Sequence, residues 1–512
     1  MSTKVIENSS SSSSLSVPLL SDEQGYAKEE NSNLIAVSHS LLTTTANVSL
    51  SRTCFNVLNA IAGVGMLSVP YALASGGWLR ITLLFAVAMV AFYSSILIKR
   101  CLDYNPNIRT YPDIGEQAFG KFGRIIVSVS MYLELYLCST TLLIIEGDHL
   151  NDLFPNFGLG IISGKQLFVV LVAIIILPTV LLDDMSFLSY VSASGIFASL
   201  VIILSVLWVA TIDGVGFHEK RDLLNWNGIP TAVSLYAVCY GGLPVFPTLY
   251  TSMANKQHFS KVLLVSFMLA TIGNASIAII GYLMFGPNTK SQVTLNLPID
   301  EISSKIAVYT TVVNPITKYA LFTTPITNAL KDLLPTKYKN RRVFHMLIST
   351  LMLISNVIIT LTVPLFGDVM SLIGAFLIVT SCILLPCLCY LKISGNYCKL
   401  GFETIAIAVI IVGAAAVGIS GTCASLIDIP HLQQHNLLQA HPWSISISVP
   451  SSFAPALLRL TLAGEAFLLT LHQCFVDASA MMLLCRWNCY RDSEIVETPT
   501  RLSDAIASSA IT

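Results

Sequence analysis

The chain holds 512 residues, 54% of them apolar and only 11% charged, with a net charge of −1. Soluble proteins carry roughly 25% charged residues, and a mean hydropathy of +0.72 leaves too little polar surface to face water. The composition excludes a string of soluble domains, a single-anchor receptor and a secreted disulfide scaffold, and the lack of a basic excess excludes nucleic acid as a partner.

Residues 1–50 come first and lack an apolar signal core. The serine run Ser9 to Ser14, with Asp22, Glu23, Glu29 and Glu30, reads as a disordered cytosolic tail. Beyond it, apolar runs near the ~20 residues that cross a bilayer core fall at 52–74, 79–98, 124–146, 166–182, 187–211, 231–251, 262–285, 306–329, 343–363, 368–391 and 402–427. The expected fold is an all-α membrane protein with eleven transmembrane helices, its transporter domain spanning 51–427. Lys99, Arg100, Lys256, Lys331, Lys339, Arg341 and Arg342 lie on the even-numbered connections. The odd-numbered ones carry fewer cations, Arg80 and Lys165 among them, so the N-terminus is expected in the cytosol. Connection 99–123 contains Tyr111-Pro-Asp-Ile-Gly-Glu-Gln-Ala-Phe-Gly120, too polar to span, which predicts a short interfacial helix ended by Gly120.

Two crossings are interrupted. The first carries Gly63, Gly65 and Pro70; the sixth carries Gly241, Gly242, Pro244 and Pro247. Gly and Pro disfavour a continuous helix, and broken helices in corresponding halves of a chain point to an inverted-repeat transporter. A half-helix starting near Gly65 presents the amides of Val64, Gly65 and Met66, with Gly63 before them, to a carboxylate. Carbonyls around Tyr240, Gly241 and Gly242 suit an ammonium group. With Phe55, Tyr236, Tyr240 and Phe246 nearby, the arrangement predicts an amino acid pocket. The competing explanation is that the glycines only let helices pack closely.

Charges at membrane depth cost about 2.5–3.5 kcal/mol at a helix centre. Glu134 and Lys318 are therefore proton-coupling candidates, or else a structural carboxylate and a fixed charge. Glu146 and Asp148 close the third crossing and are expected at the interface, and Asp183 and Asp184 in a solvated loop. The 12 cysteines are scattered. Cys138, Cys239, Cys382 and Cys387 lie in apolar runs and are expected as buried thiols, with no metal site and no cofactor.

The run FNVLNAIAGVGMLSVPYALASGGW, residues 55–78, resembles the first-crossing signature of the amino acid/auxin permease family. Tyr132-Leu-Glu-Leu-Tyr136, Glu146-Gly-Asp148, Val245-Phe-Pro247, Tyr250-Thr-Ser-Met253 and Asn314-Pro-Ile-Thr-Lys-Tyr319 are similar to its plant vacuolar amino acid transporter group. The resemblance, over about residues 50–427, implies a LeuT-like 5+5 inverted repeat with broken helices one and six. It also implies secondary transport of amino acids driven by protons, in a vacuolar or other internal membrane. One departure lies in the sixth crossing, where Gly241-Gly242-Leu243-Pro244 stands in place of a Ser-Gly-His-Ala pattern. The other is the tail, 428–512, in which Arg459, Glu465, His472 and Asp477 argue against a further crossing; an altered reading frame is one explanation. A membrane amino acid sensor and an auxin-like aromatic acid carrier are alternatives. An enzyme is not expected, because no intramembrane catalytic constellation is present.

Overall fold

In the computed structural model the described residues are 48–62, 65–75, 77–154, 164–181, 185–213, 216, 228–298, 301–333, 335, 342–362, 373–395 and 401–439. The expectations for the N-terminal tail, for Asp183 and Asp184 and for the tail beyond 439 lie outside them. Within them the protein is helical throughout, apart from one parallel bridge between Val48 and Met253.

The first crossing is broken as its glycines and proline dictate. Helix α1 (Leu50–Ile61) stops, and after an interruption a 3-10 turn, Met66–Ser68, leads into α2 (Val69–Ala74). The halves are bent by 44°. Pro70 sits in the first turn of α2, where its missing N–H has no helical partner to lose. Four helices follow: α3 (Ile81–Tyr104), α4 (Tyr111–Leu153), α5 (Gly164–Leu181) and α6 (Met185–Thr211). The sixth crossing is the second broken one, α7 (Ile229–Cys239), a 3-10 turn Leu243–Val245 and α8 (Phe246–Ser252). Then come α9 (Phe259–Phe285), α10 (Ile302–Thr311), α11 (Val313–Asp332) and α12 (Arg342–Thr362). The tenth crossing begins π-helical as α13 (Ile373–Leu384) and continues as α14 (Leu385–Ser394), and α15 (Phe402–Gln439) closes the set.

Gly120 ends the interfacial helix where the sequence predicts. Its φ of 68° and ψ of −157° divide α4 into a short first piece and the third crossing proper, a conformation open essentially to glycine alone. The first piece starts with a capping box in which the Thr110 amide donates to Asp113 Oδ2 at 2.9 Å.

Nine helices among the described residues are long and apolar enough to cross a membrane, ten when the bent pair counts as one crossing. The expected eleven is therefore not reached by that measure. The missing one is 306–329: α10 and α11 form helix there, but Asn314, Thr317, Lys318, Thr323 and Thr327 make α11 too polar, and all five are buried. Burial also ranks the crossings. In the 18-residue apolar stretch within Ile229–Ser252 and in that within Ile373–Ser394, 78% of the residues are buried, against 17% in that of Phe402–Cys423. The broken sixth crossing and the π-helical tenth are therefore central, and the last is peripheral. Arg80, expected as a loop charge, is instead fully buried, donating to the Gly228 carbonyl at 2.7 Å and to Ser75 Oγ at 3.0 Å. It ties the end of the first crossing to the start of the sixth. The last helix also continues to Gln439, past the expected end at 427.

Candidate functional site

The two interruptions meet. A Cβ on Gly65 would stand 2.6 Å from Cys239 Sγ and 2.7 Å from the Cys239 amide nitrogen, so only glycine allows the first break to press on the end of α7. On the other side, a Cβ on Gly242 would stand 3.6 Å from the Ala60 carbonyl oxygen and 3.0 Å from Phe322. Gly65 caps the Met66–Ser68 turn and Met66 is buried behind it. Gly63 and Val64 lie outside the described residues. In the sixth crossing the Tyr240 amide donates to Ala237 O at 3.0 Å and the Gly241 amide to Val238 O at 3.2 Å. Gly242 then turns left-handed at φ 82°, and its carbonyl accepts from the Val245 amide at 3.1 Å. The carbonyls of Cys239, Tyr240 and Gly241 take part in none of these three bonds.

Glu134 reaches this turn from the third crossing. Its Oε1 accepts from the Gly242 amide at 3.0 Å and from Cys382 Sγ at 3.4 Å, and its Oε2 accepts from Ser381 Oγ. Tyr111, the first residue of the interfacial helix, donates to the Ser381 carbonyl. A buried carboxylate needs donors, and here two elements supply them, the broken sixth crossing and the π-helical tenth, while Tyr111 ties the interfacial helix to Ser381. Glu134 thus links the unwound turn of the sixth crossing to the tenth. Sequence reasoning missed Ser381 and gave Cys382 only as a buried thiol; the only available signal for their role was an adjacent polar pair in an apolar run.

Of the four aromatic candidates, three are buried at or near the turn. Tyr240 stacks on Phe267 at 6.0 Å and donates to Thr271 Oγ1 at 3.0 Å. Phe246 meets Phe267 and Phe259 edge-on at 6.5 and 6.4 Å, and Tyr236 is buried a turn before the break. Phe55 is the exception. It is 40% exposed on the outer face of α1, because helical periodicity turns the neighbouring Asn56 and Asn59 inward instead. Asn59 donates to the Thr317 carbonyl at 3.2 Å, binding the first crossing to α11 just before its break. Lys318 is buried on α11 and donates to Asn314. Glu146, expected at the interface, is fully buried, whereas Asp148 pairs with Lys165. The eight described cysteines are free, and Cys138, Cys239, Cys382 and Cys387 are buried as expected.

Residues 46–426 match the family described as transmembrane amino acid transporter protein. Amino acid transporter AVT1I of Arabidopsis thaliana is 56% identical over 385 residues, covering 74% of this chain and 95% of the relative. Amino acid transporter AVT1J of the same plant is 54% identical, covering 75% and 92%. Among solved structures, MhsT in complex with L-phenylalanine aligns with 72% of this chain and 99% of its own at 12% identity and a TM-score of 0.48.

Proposed function

Because the chain belongs to the transmembrane amino acid transporter family, we propose that it moves amino acids by secondary active transport, coupled to protons, across an internal membrane of the vacuolar type with its N-terminus in the cytosol. The observation that carries this is the meeting of the two breaks, with Gly65 pressed on Cys239. A zwitterion bound there has each end matched by backbone. Its carboxylate faces the first-turn amides of the resumed helix, those of Gly65 and Met66, where the helix dipole is positive. Its ammonium faces the carbonyls of Cys239, Tyr240 and Gly241 at the end of α7, where the dipole is negative. Peptide dipoles serve both ends without a buried counter-ion, so the substrate side chain is free to vary.

Glu134 holds the receiving turn of the sixth crossing in shape. Phe322 and Ile378, which would stand 3.0 and 2.9 Å from added Cβ atoms on Gly242 and Gly241, close over it. Movement of α2 and α8 relative to the central helices would open the site to each side in turn. The direction of net transport follows the proton gradient.

The test is uptake of labelled amino acids into proteoliposomes with an imposed pH gradient. Accumulation that collapses with a protonophore supports the proposal. Accumulation indifferent to the gradient refutes the coupling, and no uptake of any amino acid refutes the substrate class.

A further inference from the structure

A second buried polar cluster lies between α4, α10 and α11. It gathers Glu146 and His149 from the far half of α4, Thr294 from the segment between α9 and α10, Thr311 from α10, and Asn314 and Lys318 from α11, all buried. Glu146 and His149 are three residues apart on one helix and share a face.

Both ring nitrogens of the histidine have threonine partners. Thr311 Oγ1 donates its hydrogen to the Val308 carbonyl at 2.6 Å, so His149 Nδ1, 2.9 Å away, is the donor to Thr311. On the other side Nε2 faces Thr294 Oγ1 at 3.0 Å. A threonine hydroxyl donates to a neutral ring or, rotated, accepts from a protonated one. The ring therefore gains a proton without losing either bond.

Beside it, Glu146 is the opposite of Glu134. Both of its oxygens are buried, and among the described residues neither has a hydrogen-bond partner. The charge that acts on it is that of Lys318. No ion pair or hydrogen bond joins the two, and Lys318 is bonded to Asn314. A buried carboxylate with no donor is stable only when a proton, a cation or a water completes it. A cavity of about 30 Å³, room for a water molecule, is lined by His149 and Thr294 together with Ser304 and the exposed Lys305.

We propose that His149 and Glu146 form a proton-binding site, loaded through this cavity, whose occupancy Lys318 relays to α11. Protonation of Glu146 removes the negative charge that Lys318 faces. Lys318 is held by Asn314, whose carbonyl accepts from Thr317 Oγ1 at 2.7 Å, and the Thr317 carbonyl accepts from Asn59 two residues before α1 ends. The proton site thus stands four linked residues from the first break. The titratable and charged groups facing it are Lys318 on α11 and Lys305 at the cavity; Asp148 on α4 and Lys165 at the start of α5 are paired with each other.

This inference rests on the proton-coupled reading, and the test separates the two. Purified protein in proteoliposomes is assayed for accumulation driven by a pH gradient, for substrate-induced proton flux with an internal pH dye, and for amino acid counterflow at equal pH. In Glu146→Gln, counterflow persists while accumulation and proton flux fall at least roughly tenfold. In His149→Gln, whose amide can still bond both threonines, proton flux slows and its pH dependence flattens. Wild-type flux and pH dependence in either variant overturn the assignment of that residue, and in both variants overturn the site. If Glu146→Gln does not fold, His149→Gln alone decides. Uptake by the unmodified protein that follows sodium at fixed pH overturns the proton as ligand, and failure of gradient-driven uptake in the unmodified protein is instead a failure of the coupling proposed above.

Discussion

Replacing Gly65 with alanine tests the meeting of the two breaks most directly. The added Cβ would lie 2.6 Å from Cys239 Sγ, 2.7 Å from the Cys239 amide nitrogen and 2.9 Å from its Cα, whereas ordinary contacts begin near 3.4 Å. The sulfur is the end of a short side chain, but the nitrogen and Cα are backbone at the end of α7 and cannot rotate away. Relieving the contact with the nitrogen, from 2.7 to 3.4 Å, means moving one half-helix against the other by most of an ångström. Overpacking of this kind costs about 1–3 kcal/mol, which, if it falls on the bound state, is roughly 5- to 150-fold in affinity. The assay is the apparent KM for labelled amino acid in proteoliposomes, with monodispersity in detergent as the check on folding. Because the obstruction is chiefly backbone, Gly65→Ala/Cys239→Ala, which removes only the sulfur, is expected not to recover affinity. A wild-type KM in Gly65→Ala refutes the reasoning, and full rescue by the double variant refutes the claim that backbone is what blocks it.

Glu134→Ala leaves the Gly242 amide buried without its acceptor, a loss of about 1–3 kcal/mol that lowers the melting temperature in detergent. Glu134→Gln keeps one acceptor oxygen and is expected to fold and to keep the pH dependence of uptake at a reduced rate; loss of that pH dependence would move the proton site to Glu134. Asn356 is fully buried and donates to Ser139 Oγ and to Tyr319 Oη, each at 2.8 Å, so Asn356→Ala is expected to destabilise the protein by about 1–3 kcal/mol, read as a lower melting temperature. Gly120→Ala meets no neighbour within 4 Å, so its cost is backbone strain alone, about 1–3 kcal/mol. An unchanged melting temperature in Gly120→Ala would show that the interfacial helix does not end there.

The sequence determined the features that depend on local backbone preference and on average polarity. Gly and Pro placed both breaks, because the chain has no helical alternative to offer there and flanking residues do not alter that. Thr110, Asp113 and Gly120 marked both ends of the interfacial helix for the same reason, and the apolar runs marked the crossings, 306–329 among them, although the buried Asn, Thr and Lys of α11 make it the least apolar. Only the tertiary structure decided which groups satisfy one another. Glu134 finds its donors in Gly242, 108 positions away, and in Ser381, 247 positions away, and Glu146 is left with none. Hydrogen-bond partners across such separations are set by how helices pack, and a side chain's type does not say which face of a helix it will occupy. That is why Phe55 points outward, and why Arg80 and Glu146, both expected near the interface, are buried.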